Sequence, residues 1–461
     1  MHVAIVGAYG SAGVATASEL SKHIGEEINE LSLIDGGQPG GLCILRGCMP
    51  SKAVLSGARH VHEANNDARV KSDATVDTLK TIKHKNKNVN AFAEHRASSV
   101  RSLAEKSGVN LIEESARFEN ENKLVLSDGG VINPDYTVVA TGSKVNIPSL
   151  DGINEVDYLT SSDVLDMDAL PDSVVVMGFG TIGIEMSAYL STAGVDVTVI
   201  EHDELPLDEA SDALSRELVD IYTDEFGINI VNNTYEEAVE KEGDKIRVYT
   251  DSDRYFEADE LCLFTGRTPN VQGLDLNTLG VKPEKDWVND DLLVNGTDSV
   301  FVAGDATGER MILHIAKEQG HLVSNNIIKS INGSESEPYN YTEHLVYFAG
   351  NGKYPFAKYG ISADSAIDEP NLEVVTRRAS DDGIFKLKDA EYGVANLVVN
   401  SETGEVKGYE GLHLHSDVMV KTMQVLIENN VDVRNVPSRA YHPTTPEILD
   451  GLLRDASSKI Q

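Results

Sequence analysis

The chain opens on a short apolar run, His2–Gly7 (HVAIVG), breaks at glycines, continues with a segment of helical character and returns to an apolar run at Leu31–Asp35 (LSLID). That succession predicts a β-α-β unit. The same order recurs at Ser173–Gly178 (SVVVMG), a helical stretch through Ala193, and Val195–Glu201 (VDVTVIE). Runs so continuously apolar are those of strands covered on both faces, as in a parallel sheet. Two nucleotide-binding units are therefore expected. Between them, Ser56–Glu105 is polar and helix-prone, and strand-like pieces lead up to Tyr136–Gly142 (YTVVATG). Further on, Glu260–Phe264 and Ser299–Ala303 (SVFVA) predict strands and Gly308–Ile328 a helix. From about residue 336 the pattern changes. Ala395–Asn400 (ANLVVN), a turn at Ser401–Gly404 and Val406–Gly411 (VKGYEG) predict a hairpin, followed by a helix over Ser416–Asn430. This reads as a third, α+β domain.

With 461 residues there is material for more than one core. Acidic residues number 75 against 39 basic ones, a formal charge of −36, which argues against nucleic acid or an anionic membrane surface as partner. Such an excess suits a solvated surface in a saline milieu. The basic patch Lys83–Lys87 (KHKNK) is small in so acidic a chain and reads as a solvated helix face. No apolar run approaches the roughly 18 residues of a membrane span, and the first strand begins without a basic leader, so the protein is expected to be cytoplasmic. Three cysteines do not make a secreted disulfide framework. A close pair among them points to redox, catalytic or metal chemistry.

Three motifs carry chemistry. Gly7-Ala8-Tyr9-Gly10-Ser11-Ala12-Gly13 follows the first strand, where glycines permit a tight turn and let amides at a helix N-terminus approach a pyrophosphate. Counting Tyr9 as one inserted residue restores G-x-G-x-x-G, and Asp35 stands where a ribose diol would be held. The bland reading is a glycine-rich strand-helix turn. The second copy is regular: Gly178-Phe179-Gly180-Thr181-Ile182-Gly183, with Glu201 at the next strand end. A carboxylate there accepts from the 2′-hydroxyl of NAD and repels the 2′-phosphate of NADP, and Glu201–Leu207 contains no arginine to bind that phosphate. Third, Cys43-Ile44-Leu45-Arg46-Gly47-Cys48 spaces two cysteines five apart. In a regular helix such positions lie about 8 to 9 Å apart, beyond the roughly 7 Å a disulfide spans, so a bridge requires a distorted turn; Gly47 and Pro50 supply irregularity. Half of a zinc site and two unrelated thiols remain open readings. Cys262, in the strand ELCLF, reads as a core residue.

Together these residues resemble the FAD-dependent pyridine nucleotide-disulfide oxidoreductases. Gly40–Lys52 (GGLCILRGCMPSK) is similar to the redox-disulfide helix of that family, with Leu42 in place of its usual threonine. Ala140-Thr141-Gly142, Gly266-Arg267-Thr268-Pro269-Asn270, Ala303-Gly304-Asp305 and His442-Pro443-Thr444-Thr445-Pro446-Glu447 follow in the family's order. The resemblance implies an α/β fold of two Rossmann-like domains and an α+β C-terminal dimerisation domain: FAD-binding over residues 1–148 and 273–335, NAD-binding over 149–272, and an interface domain over 336–461. It implies a Cys43–Cys48 disulfide, with Cys43 exchanging with substrate and Cys48 facing the flavin. It implies a Lys52–Glu185 ion pair beside the flavin, and FAD held by Gly7, Gly10, Gly13, Asp35, Lys52, Thr141, Gly142, Ser143, Gly304, Asp305 and His314. Gly178, Gly180, Ile182, Gly183, Glu201, Gly266 and Arg267 complete the cofactor set. His442, oriented by Glu447, would act as acid-base catalyst across a homodimer interface, since a thiol of pKa about 8.5 needs a base near neutrality. Outside this motif context a histidine, one of 13, would read as an ordinary surface or core residue.

Within the family the resemblance is to its dihydrolipoamide dehydrogenases. The run Ile312–Gly320 (ILHIAKEQG) is similar to theirs, Glu201 suits NAD, and the tail after Glu447 lacks the extra redox cysteines of mercuric and large thioredoxin reductases. Val346–Asn351 (VYFAGN) departs from the usual start of the third domain. The expected reaction passes electrons from a small or lipoyl-domain dithiol through the cysteines and FAD to NAD, with no metal. The alternatives are reduction of another small disulfide, in the manner of glutathione reductase, and a catalytically silent flavin-binding subunit.

Overall fold

The computed structural model describes every residue except 285, 438, 440 and 461. The chain forms two compact units, one built from Met1–Pro50, His84–Asn146 and Arg267–Tyr341, the other from Ser51–Lys83, Ile147–Gly266 and Thr342–Gln461. Parallel sheets with helical crossovers give the α/β fold that the hydrophobic pattern predicts.

Elements of the N-terminal part of the chain include, in chain order, β1 (His2–Val6), α1 (Ser11–Leu20), β2 (Glu30–Ile34), α2 (Gly41–Leu45), α3 (Cys48–Asn66), α4 (Thr78–Ala104), β3 (Val109–Ile112) and β4 (Tyr136–Val139). The first unit's main sheet has the order Val300–Val302, β4, β1, β2, β3, with every neighbouring pair parallel. Side chains alternate between its two faces. Val3, Ile5, Leu31, Leu33 and Val138 pack with Leu20, Val323 and Ile327 on one side. Ala4, Val6, Ile34 and Val139 pack with Trp287, Leu274 and Val281 on the other. Burial on both faces is why these strands read as unbroken apolar runs.

Helix Leu313–Ile331 lies against α1 through small residues: a Cβ on Gly320 would stand 2.7 Å from the Ala12 carbonyl oxygen and 3.0 Å from Ala15 Cβ. This helix starts later than the sequence suggests. Gly308, at φ +90°, ends a 3₁₀ turn over Gly304–Thr307, and that left-handed conformation cannot belong to a right-handed helix. The basic patch is also divided: Lys83 and Lys87 are exposed on α4, but the helical period turns Lys85 inward, where it is 3% exposed.

In the second unit β5 (Ser173–Met177), α5 (Thr181–Thr192), β6 (Asp196–Ile200) and β7 (Glu260–Leu263) repeat the arrangement, in a sheet ordered Asn229–Val231, β6, β5, β7, Leu159–Thr160. Cys262 pairs in register with Val176 and is fully buried, and burial pushes its thiol pKa far up, so it is a core residue as expected. The C-terminal region of this unit is a five-stranded antiparallel sheet. It contains the expected hairpin, Val394–Asn400 paired with Val406–Leu412, and helix Ser416–Glu428 follows. Among the described residues no helix is long and apolar enough to cross a membrane.

Candidate active site

Parallel registers bring separate sequence motifs to one sheet edge. Val6 is level with Ile34 and Val139, and Val139 with Val302, so Gly7, Asp35, Ala140 and Ala303 all emerge at the C-terminal ends of adjacent strands. In open α/β sheets this edge is where nucleotides bind. Two of the turn glycines are demanded by packing. A Cβ on Gly7, at φ +96°, would lie 2.3 Å from the Ala140 oxygen, and one on Gly13 would lie 2.2 Å from the Gly7 oxygen. Gly10 caps α1 with no side chain on its free amides, leaving them for an anion.

The second unit reproduces this turn. A Cβ on Gly183 would also lie 2.2 Å from the oxygen of its first glycine, Gly178, and Gly180 caps α5 as Gly10 caps α1. The Phe179 amide donates to Glu201 Oε2 at 2.6 Å, and the Tyr9 amide to Asp35 Oδ2 at 2.8 Å. Matched by these bonds, Tyr9 plays the part of Phe179, so the additional residue of the first turn is Ala8 rather than Tyr9. Burial raises the Asp35 pKa, opposed by the amides of Tyr9 and Gly37. A Cβ on Gly180 would meet nothing within 4 Å. The protein itself therefore does not require glycine there; close approach of a ligand would.

Ser143 donates to Asp305 Oδ2 at 2.6 Å, and Arg267 grips Ser143 through Nε to its hydroxyl (2.8 Å) and Nη2 to its carbonyl (2.9 Å). Burial lowers the Arg267 pKa, partly offset by Asp305. Gly304, at φ +74°, is tied by its amide to Gln319 Oε1 at 2.7 Å. Gly142 also has positive φ, +71°, and His314 is half-buried in the first turn of its helix. The Thr141 hydroxyl is buried with no hydrogen-bond partner, the kind of orphan that a bound group satisfies. Open α1 amides, this hydroxyl and the glycine cradle fit a dinucleotide. On the second sheet Ile182 sits in the first turn of α5, and Gly266 follows β7 at φ +84°.

The two cysteines lie on either side of a helix break. α2 ends at Leu45, Arg46 adopts φ −143°, and α3 begins at Cys48. This is the irregularity that the five-residue spacing called for. A Cβ on Gly47 would lie 3.2 Å from Cys43 Cα, so the chain doubles back closely at the break. α2 also rests on the dinucleotide turn, since a Cβ on Gly41 would be 2.9 Å from Gly10 Cα. The expected bridge is not closed here: Cys43, half-buried, and Cys48, exposed, are both thiols.

Four residues beyond Cys48 on α3, Lys52 Nζ meets Glu185 Oε1 at 2.5 Å and lies 5.1 Å from the Phe348 ring centre. Glu185 is nearly buried and also accepts from the Phe348 amide at 3.0 Å. His442 Nδ1 faces both Glu447 oxygens, at 3.2 and 3.0 Å, and the Thr444 amide holds Oε1 at 2.8 Å. The His442 bond, then the Thr444 amide, keep the Glu447 carboxyl below the usual carboxylate range. With Nδ1 occupied and the side chain 79% exposed, Nε2 of His442 is open to solvent.

The family model described as pyridine nucleotide-disulphide oxidoreductase matches residues 1–320. The chain belongs to this family. A mercuric reductase of Bacillus cereus is 32% identical over 311 residues, 66% of this chain, which spans about half (48%) of that relative. A dihydrolipoyl dehydrogenase of Haloferax volcanii is 27% identical over 440 residues, covering 91% of this chain and 89% of its own. The HOCl-induced flavoprotein disulfide reductase RclA from Escherichia coli shares the fold, with TM-score 0.83 at 20% identity over 98% of this chain and 99% of that one. Members of the family use FAD and a pyridine nucleotide, and these are the cofactors of this chain.

Some site features carried no short-range signal. The Phe348 amide on Glu185 and the Arg96 side chain on the Tyr9 carbonyl join residues 163 and 87 positions apart. Neither is part of a motif.

Proposed function

We propose that the chain is a dithiol-disulfide oxidoreductase that takes electrons from dihydrolipoamide, free or on a lipoyl domain, through Cys43 and Cys48 to FAD and then NAD. The observation carrying this reading is the packing of the Cys43 helix on the dinucleotide turn, with the helix broken before Cys48. Support for the substrate comes from dihydrolipoyl dehydrogenases aligned over nearly the whole chain. FAD, when bound, supplies a two-electron acceptor that hands a hydride to NAD.

The protein's own part is sulfur and proton chemistry. In the oxidised enzyme one substrate thiol gives its proton to His442 Nε2, and the thiolate attacks Cys43 Sγ, breaking the Cys43–Cys48 bond and releasing Cys48 as thiolate. The second substrate thiol then attacks the mixed disulfide. Cyclic disulfide leaves, and Cys43 is freed. Glu447 accepts the Nδ1 proton's hydrogen bond and so fixes the tautomer that keeps Nε2 basic. Lys52, held by Glu185, places a cation one helical turn from Cys48, which favours its thiolate. Exposure of His442 suits delivery to a second copy, as a homodimer with shared sites requires. Glu201 accepts from the NAD ribose, and its charge disfavours NADP. A thiol-based cycle of this kind suits the cytoplasm.

Steady-state rates with dihydrolipoamide and NAD are to be compared with NADH-driven reduction of glutathione disulfide, other small disulfides and Hg(II). Turnover is expected with lipoamide; indifference to it eliminates the assignment and leaves another disulfide reductase. A Cys48→Ser protein that binds FAD and keeps full turnover establishes instead that the dithiol is idle.

A further inference from the structure

The dinucleotide turn that departs from the regular motif is also the one against which the Cys43 helix is built. Tyr9 is fixed at three points, by its amide on Asp35 (2.8 Å), its hydroxyl on Glu113 (3.3 Å) and its carbonyl on Arg96 Nη1 (2.9 Å). A Cβ on Gly41 would stand 3.2 Å from that same carbonyl. The Arg96 guanidinium and the start of α2, two residues before Cys43, thus abut one oxygen. Arg96 projects from the middle of α4 and is half-buried, and among the described residues no carboxylate pairs with it. Of the other charges near the turn, the carboxylates and Arg101 have partners of their own and Arg46 faces solvent. Asp35 accepts from the amides of Tyr9 and Gly37, Glu113 from the Tyr9 hydroxyl, Arg101 meets Glu94 at 2.6 Å, and Arg46 is exposed at the end of α2. A half-buried guanidinium bonded to a carbonyl rather than a carboxylate favours a nearby anion more strongly than it would in water. Burial lowers the Arg96 pKa, and the charge of Cys43 works to raise it.

We infer that Arg96 is a positioning residue that holds Cys43 of the reduced pair as a thiolate, and that the lengthened turn exists to present the Tyr9 carbonyl that anchors it. The step is an ionisation alone: the Cys43 thiol loses a proton to solvent, and the sulfur keeps the electron pair beside the guanidinium. This rests on the reading of Cys43 as the exchanging thiol.

The test follows the pH dependence of iodoacetamide alkylation at Cys43 and Cys48, mapped by mass spectrometry in the dithiothreitol-reduced, FAD-loaded protein. Arg96→Met is expected to raise the Cys43 midpoint by about one pH unit, roughly a tenfold loss of thiolate near neutrality, with the Cys48 midpoint unmoved. Arg96→Lys is expected to restore most of the difference. An unchanged Cys43 midpoint in Arg96→Met, equal shifts at both cysteines, or failure of lysine to restore any of it overturns the inference. If Arg96→Met loses flavin, Arg96→Lys against wild type decides: a Cys43 midpoint that lysine raises as far as methionine does is again contrary. Turnover of Cys43→Ser, measured separately, tests the underlying reading. Its loss with an unmoved Cys43 midpoint sinks only the role of Arg96, and its retention with a raised midpoint sinks only the exchange role.

Discussion

Gly180 and Gly183 belong to one motif, yet different forces hold them as glycine, and alanine at each separates the two. At Gly183 the new Cβ would lie 2.2 Å from the Gly178 oxygen, where real Cβ contacts stay beyond 3.0 Å, so backbone must move by at least about 0.8 Å. Little can yield. Gly178 is pinned by its amide on Ile200 and by a φ of +93°, and a Cβ of its own would already lie 2.8 Å from the Phe264 oxygen. Overpacking of this kind costs about 1–3 kcal/mol, or a fall in Tm of roughly 2–4 °C per kcal/mol. At Gly180 the φ is −70° and the added methyl meets nothing within 4 Å. Gly180→Ala is therefore expected to hold the wild-type Tm to within about 2 °C while NADH binds about tenfold more weakly, a change of about 1.4 kcal/mol. Gly183→Ala should lose stability before any ligand is added. Fluorescence titration with NADH beside thermal unfolding reads both quantities. Wild-type NADH affinity in Gly180→Ala would refute the placing of nucleotide at this helix end, and a fully stable Gly183→Ala would refute the packing argument.

Glu447→Gln should lower turnover about ten- to a hundredfold with FAD content unchanged, and because the Glu447 carboxyl is held low by His442, wild-type activity should keep this contribution as pH falls through the ordinary carboxylate range; a pH–rate profile compares the two proteins. Cys48→Ser should bind FAD normally and lose at least about a hundredfold in dithiol oxidation, read as NADH formation. Glu201→Ala should weaken NADH and narrow its advantage over NADPH, measured by paired titrations. His413 is fully buried between the Tyr409 hydroxyl and the Leu414 carbonyl, and burial pushes its pKa from 6.5 down to about 4. The unfolded chain takes up this proton first, so the stability contribution is complete above pH 6.5 and declines below it, by about 2 kcal/mol between pH 6.5 and 5. Urea unfolding of wild type and His413→Gln at both pH values should show that increment only in the wild type.

How much of this protein its sequence determines follows from the range over which each interaction acts. Local chemistry is written locally. Strands buried on both faces must be apolar throughout, so β1, β2, β5 and β6 are legible as runs. A Cβ that would collide within its own turn forces Gly13 and Gly183, and a carboxylate that catches the turn amide must stand at the next strand end, as Asp35 and Glu201 do. The cysteine pair, with the helix break at Arg46 between them, is likewise a matter of six residues. What the sequence left open depends on which distant groups the packed sheets bring level. Only the bonds of Tyr9 and Phe179 identified Ala8 as the additional residue, because identity in a turn is set by hydrogen bonding and not by counting. Only the turn geometry at Gly308 decided where the following helix starts. The Arg96 side chain on the Tyr9 carbonyl and the Phe348 amide on Glu185 were decided by tertiary structure alone, since a partner 87 or 163 residues away imposes no pattern on its neighbours.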